Sequence, residues 1–91
     1  MKMSPEANKW FMSHDGETRD GVTLSIRQDY KKKAFFGDFK FGSSSIQMRW
    51  DMDCHAGAQH EKKYDDKQDV EDVVNEGFAY CLVVKKMLES N

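Results

Sequence analysis

Residues 46 to 53 read Ile46-Gln47-Met48-Arg49-Trp50-Asp51-Met52-Asp53, a strict alternation of apolar and polar side chains. Successive residues of a β-strand point to opposite faces, so this pattern makes a strand with one dry face and one wet face. A slip of one residue would carry all four apolar groups into water, which fixes the register. The segment before it, Ala34 to Phe41, reads the same way, with Phe35, Phe39 and Phe41 on the dry face and Phe36, Asp38 and Lys40 on the wet one. Gly42-Ser43-Ser44-Ser45 is the turn between the two. Further back, Val22, Leu24 and Ile26 alternate with Thr23, Ser25 and Arg27, and the pattern runs on through Gln28 to Tyr30 on the apolar side. Asp29 to Lys33 then forms a charged turn. A weaker and more polar candidate, Ala58 to Tyr64, suits the edge of a sheet, where charged side chains discourage pairing with other molecules.

From Asp66 onward the period changes from two to 3.6. Val70, Val73, Val74, Phe78, Cys81, Leu82 and Leu88 make one broad stripe, with Asp65, Asp66, Asp69 and Asp72 near its start and Lys85 and Lys86 near its end. Acids at the N-terminus and lysines at the C-terminus complement the helix dipole, and the spacing predicts a helix over 67–89. Gly77 lies on the stripe, where it costs about 1 kcal/mol relative to alanine. Such a glycine belongs where another element comes close. At the other end, Ser4-Pro5-Glu6 has the order of a helix start, and Ala7, Trp10 and Phe11 follow at i, i+3 and i+4, which predicts a short N-terminal helix or helical turn. Residues 14–21 hold two Asp-Gly pairs and no apolar side chain, which is loop chemistry.

The expected fold is therefore one α+β domain spanning residues 1–91. An antiparallel sheet of three to four strands packs on a long C-terminal amphipathic helix, in the order α-β-β-β-β-α. At 91 residues one core is all the chain can build.

Hydrophobic residues make up 38% of the chain and charged residues 33%, a polar but foldable balance. The formal charge of −2 is unevenly laid out. Residues 1–50 carry nine Lys/Arg against six Asp/Glu, and residues 51–91 carry five against ten. This dipolar pattern can steer a charged partner, yet it is too mild to mark a nucleic-acid binder by itself. Cys54 and Cys81 have no companion at redox or ligand spacing, so a reducing, cytoplasmic setting is expected. Neither the N-terminus nor the apolar run Cys81–Val84 predicts export or membrane insertion.

Asp51, Asp53, His55 and His60 are metal-ligand residue types without a recognised ligand spacing, and Asp15, Glu17 and Asp20 do not fit a calcium loop. Neither set is read as a metal site. Cys81 falls on the buried stripe, Cys54 sits beside Asp53, and no serine elbow or glycine-rich phosphate loop occurs. The expectation is a non-enzymatic protein without a cofactor.

Two surfaces carry the functional expectations. Trp10, Arg27, Phe36, Lys40 and Arg49 are the candidate contacts for a protein partner, since arginine and aromatics dominate binding hot spots. A protein acting this way is a small inhibitor or adaptor of the kind mobile genetic elements and phages encode. The alternative is a dimeric nucleic-acid-binding sheet domain in which Lys31, Lys32 and Lys33 neutralise phosphates and Phe36 stacks on a base. Tyr80, Val83 and Met87 widen the helix's apolar arc beyond what one sheet covers. They predict a flank covered by Trp10 and Phe11, a homodimer seam or a docking patch for another protein.

Overall fold

Turn chemistry sets the hairpins. Asp20 and Gly21 both adopt positive φ, 49° and 83°, the conformation a tight two-residue hairpin needs. Gly42, at φ 59°, opens a second two-residue turn that pairs Phe41 with Ser44. Between them, Asp29 pairs with Ala34 across a four-residue connection in which the Asp29 carboxylate accepts the Lys32 backbone N–H at 3.0 Å and Lys33 takes φ 52°.

The protein's computed structural model describes residues 5–51, 64 and 66–90. In chain order these form α1 (Pro5–Met12), β1 (Thr18–Arg19), β2 (Val22–Asp29), β3 (Ala34–Phe41), β4 (Ser44–Asp51) and α2 (Lys67–Glu89). The strands make one antiparallel meander in the order β1-β2-β3-β4, and both helices lie on its inner face. The expected α+β arrangement and the long C-terminal helix are observed. No helix among the described residues is long and apolar enough to cross a membrane.

Several expectations are corrected. The fourth strand is β1, inside the segment read as a loop. Its Asp-Gly turn reverses the chain onto β2 even though Thr18 and Arg19 offer no apolar alternation. Residues 58–63 lie outside the described residues, and Tyr64 packs edge-on against Phe11 with ring centroids 5.0 Å apart. β4 starts at Ser44, inside the expected four-residue turn, because Gly42 allows the tighter reversal. Tyr30 leaves the strand for the turn and is exposed. Leu88 is also exposed, since α2 runs past the end of the surface that covers its stripe.

The core is aromatic. Phe11 of α1 stacks on Phe35 at 4.7 Å, and Phe39 meets Phe78 of α2 edge-on at 5.1 Å. Val22, Leu24, Val70, Val74 and Cys81 fill the space between the layers. Asp66 caps α2, accepting the Asp69 N–H at 2.9 Å, and the Asp69 carboxylate returns the interaction to the Asp66 backbone. Gly77 faces the sheet as its position on the stripe predicts. A Cβ there would sit 2.5 Å from the Phe39 ring and 3.1 Å from the Met48 sulfur.

Gly77→Ala adds a better helix former worth about 1 kcal/mol. It also drives a methyl into a fully buried ring held by Phe78 and Trp50, and overpacking of this kind costs about 1–3 kcal/mol. The steric cost wins. The variant is expected to melt below the parent by about 4–8 °C, the shift that about 1 kcal/mol gives in a domain of this size. A thermal melt followed by circular dichroism reads it, and an unchanged or higher melting temperature would show that the helix can lift off Phe39 cheaply.

Candidate functional site

The strand register arranges the outer face of the sheet in rows. Thr23, Lys40 and Ser45 form one, Ser25, Asp38 and Gln47 the next, Arg27, Phe36 and Arg49 the third, and Asp29, Ala34 and Asp51 the last, beside the β2–β3 turn. Phe36 is the one aromatic on this face, and it was expected to stand open. It is instead only 6% exposed. The Arg27 guanidinium lies 4.5 Å from its ring centroid, Lys32 Nζ 5.6 Å and the Arg49 guanidinium 5.8 Å.

Each contact follows from local chemistry. Arg27 and Arg49 are the direct cross-strand neighbours of Phe36, and long side chains lay their stems over an adjacent ring to remove it from water while the charged heads stay wet. The ring's negative face then attracts the cations, worth about 0.5–1 kcal/mol each where solvent reaches them. The arginines are held from the side. Arg49 Nε donates to Asp51 at 2.7 Å and its Nη2 to the Lys32 carbonyl at 3.0 Å, latching the β2–β3 turn onto β4. Arg27 is ion-paired with Asp29 at 3.8 Å. Among the described residues, Arg27, Lys31, Lys32, Lys33 and Arg49 thus outnumber Asp29 and Asp51 five to two at this end of the sheet.

Of the expected contacts, the fold brings together Arg27, Phe36, Arg49 and Lys32, with Lys31 and Lys33 exposed in the adjoining turn. Lys40 is exposed on the same face but lies four residues along β3 from Phe36, roughly 13 Å away at strand rise. Trp10 is separated more completely. It belongs to the helical layer, half-buried against the core. The sequence reading missed Tyr30, which stands exposed in the turn with its hydroxyl donating to Gln28 Oε1 at 2.7 Å. Counting it into the strand's apolar side hid an accessible aromatic beside three lysines.

A second polar cluster sits at the β1 edge. Glu17 accepts from Arg19 and bonds His14 Nδ1 at 2.8 Å, while the Arg19 guanidinium covers the Phe78 ring at 4.4 Å. Burial alone pushes the Glu17 carboxyl up, but its hydrogen bonds to His14 and Arg19 and their charges outweigh that and hold it below its ordinary value. The cluster pins the loop that carries β1 and has a structural role. Cys81 is buried, and burial pushes its thiol up, away from nucleophile behaviour. No group of three or more metal-ligating side chains converges among the described residues, and Asp53, His55 and His60 lie outside them.

The chain matches no protein-family model, no curated protein and no solved structure.

A carboxylate whose pKa is lowered by folding stabilises the fold in full above its unfolded value and loses that contribution as pH falls through the folded value. Glu17→Gln should therefore be less stable than the parent above pH 4.5, and the margin should shrink as the pH falls below it. Urea midpoints taken through the acid range measure this. A margin that persists unchanged in acid would mean that the Glu17 charge is not what holds the loop.

Proposed function

We propose that the protein is a non-enzymatic interaction protein that docks an acidic surface of another protein on the row Arg27–Phe36–Arg49. The observation that carries the reading is the cation-covered ring. Two guanidiniums stand over Phe36, Arg49 hydrogen-bonded to Asp51 and the Lys32 carbonyl and Arg27 ion-paired with Asp29. Arginine donors already held by neighbouring groups lose less entropy when carboxylates bind, and their fork geometry favours bidentate pairing. Tyr30 and the Lys31–Lys33 turn extend the surface with an aromatic contact and a field that speeds encounter. Occupying a partner's surface without turnover is how a small inhibitor or adaptor acts, and that is the mode we assign.

Nucleic-acid binding fits the same surface less well. The Phe36 ring is roofed by guanidiniums and offers no open face on which a base could stack.

Charge reversal at Arg27→Glu with Arg49→Glu should abolish capture of an acidic partner from the source cell, roughly a 100-fold or greater loss, because like charges then face each other. Both arginines are about half exposed, at 53% and 50%, so folding should survive, and a thermal melt verifies it. Replacing Lys31, Lys32 and Lys33 together by alanine should slow association while leaving the complex intact. The reverse outcome, in which the lysine variant loses binding and the parent shifts nucleic acid in a gel with a steep salt slope, would replace the protein reading by the nucleic-acid one.

A further inference from the structure

Tyr80, Val83 and Met87 on α2 are exposed, so α1 does not cover this flank as expected. Phe11 is spent instead on Phe35 and Trp50, and Trp10 packs on the core. The basic end of the outer sheet face is chemically more specific. The Arg27 guanidinium, Lys32 Nζ and the Arg49 guanidinium lie 4.5, 5.6 and 5.8 Å from the centroid of one ring, that of Phe36. They come from β2, the β2–β3 turn and β4, so the fold itself gathers them. Three cations brought this close repel one another unless anions lie among them, and the fold supplies part of that compensation. Asp51 accepts from Arg49 at 2.7 Å, and Asp29 stands 3.8 Å from Arg27, beyond hydrogen-bond length. Lys32 enters none of the ion pairs formed among the described residues.

We infer that Arg27, Lys32 and Arg49 form a subsite for a phosphoryl group carried on a side chain of the docking partner, which is therefore recognised in its phosphorylated form. The inference rests on the docking reading above and specifies the partner's chemistry. A carboxylate brings one charge and two oxygens in a plane, enough for a single guanidinium fork. A phosphoryl group on serine, threonine or tyrosine brings a charge of about −1.5 to −2 and three acceptor oxygens that point apart, one for each of the three cations. A phosphodiester of a nucleic acid has one charge and two free oxygens, which leaves one cation unmet.

The donors left over suit this ligand. Arg49 Nε and Nη2 are engaged by Asp51 and the Lys32 carbonyl, and Nη1 is left to donate outward to a ligand. Arg27 keeps its fork, because Asp29 at 3.8 Å attracts it by charge without taking a hydrogen bond. Lys32 keeps the three donors of its ammonium. Charge-assisted bonds from three separate elements to one group add up only when that group offers an oxygen to each, so phosphorylation of the partner switches docking on.

Fluorescence anisotropy with a short labelled acidic peptide, carrying phosphoserine, glutamate or serine at its centre, tests the subsite. At about 0.15 M salt the phosphoserine peptide should bind roughly 10-fold or more tightly than the glutamate peptide, and the serine peptide least. Arg27→Ala, Lys32→Ala and Arg49→Ala, each shown folded by a thermal melt, should weaken the phosphoserine peptide roughly 5- to 10-fold and close the gap to glutamate. Lys40→Ala, on the same face but roughly 13 Å from Phe36, should leave both unchanged. Equal binding of the phosphoserine and glutamate peptides, both lost in Arg27→Glu with Arg49→Glu, would overturn the phosphoryl subsite and leave the docking reading standing. Peptide binding that the charge reversal does not touch would overturn both. No binding of the phosphoserine peptide up to about 1 mM would overturn the subsite alone, since capture of an acidic partner decides the docking reading separately. Displacement of that peptide by inorganic phosphate or a single-stranded oligonucleotide at lower concentration than the peptide itself would assign the three cations to that ligand instead.

Discussion

The close approach of α2 to the sheet at Gly77 is the constraint on which the two layers depend. Without a side chain at that point the helix settles onto the Phe39 ring, and Phe78, the next residue, then meets the same ring edge-on. Val70, Val73 and Val74 before it and Cys81 after it are brought into the interlayer space by the same contact. A glycine in mid-helix is unfavourable locally, and the dense aromatic packing it permits more than offsets that loss. Gly37 plays the matching part in β3, where a Cβ would lie 2.4 Å from the Trp50 ring. Both layers are thus notched where the largest side chains cross.

The sheet's outer face follows a different rule. Among the described residues no second layer lies on it, so its side chains must cover one another. Phe36 is the large apolar group there, and the two arginines beside it solve the problem that a covering helix solves on the inner face. The edge of β2 is closed with equal economy. Gly16 donates to the Leu24 carbonyl at 2.7 Å, Leu24 donates to the Glu17 carbonyl at 2.8 Å, and the Asp15 carboxylate takes the Ile26 N–H at 2.7 Å. A loop without apolar residues supplies backbone partners beyond the two residues of β1 and leaves little edge for a foreign strand.

Much of this is legible in the chain because period is a strong signal where one face is dry. The alternations over 22–27, 34–41 and 46–51 and the 3.6 stripe after Asp66 locate three strands and α2, and Gly77 marks the close contact. β1 escapes because two residues are too few to show a period, and only the positive φ at Asp20 and Gly21 turns the segment back. Phe36 is placed on the correct face, but its cover is invisible in one dimension. Alternation says which way a side chain points and nothing about which neighbours lean over it. The site is therefore legible as a set, Arg27 with Phe36 and Arg49, and illegible as a bonded arrangement. Lys40 and Trp10 look equivalent to those three in composition and are separated from them by strand rise and by layer.

The outer rows hold an evolutionary freedom that the inner face lacks. A substitution at Phe39 or Phe78 disturbs rings that interlock with several others, and few alternatives keep the same volume. Ser25, Asp38, Gln47 and Lys40 touch mainly water and one another, so they can be exchanged with small effect on folding. Because Phe36 shelters under side chains rather than under backbone, even its cover can be rebuilt with other long residues. A domain organised this way can have one charged surface redrawn while the scaffold stays fixed.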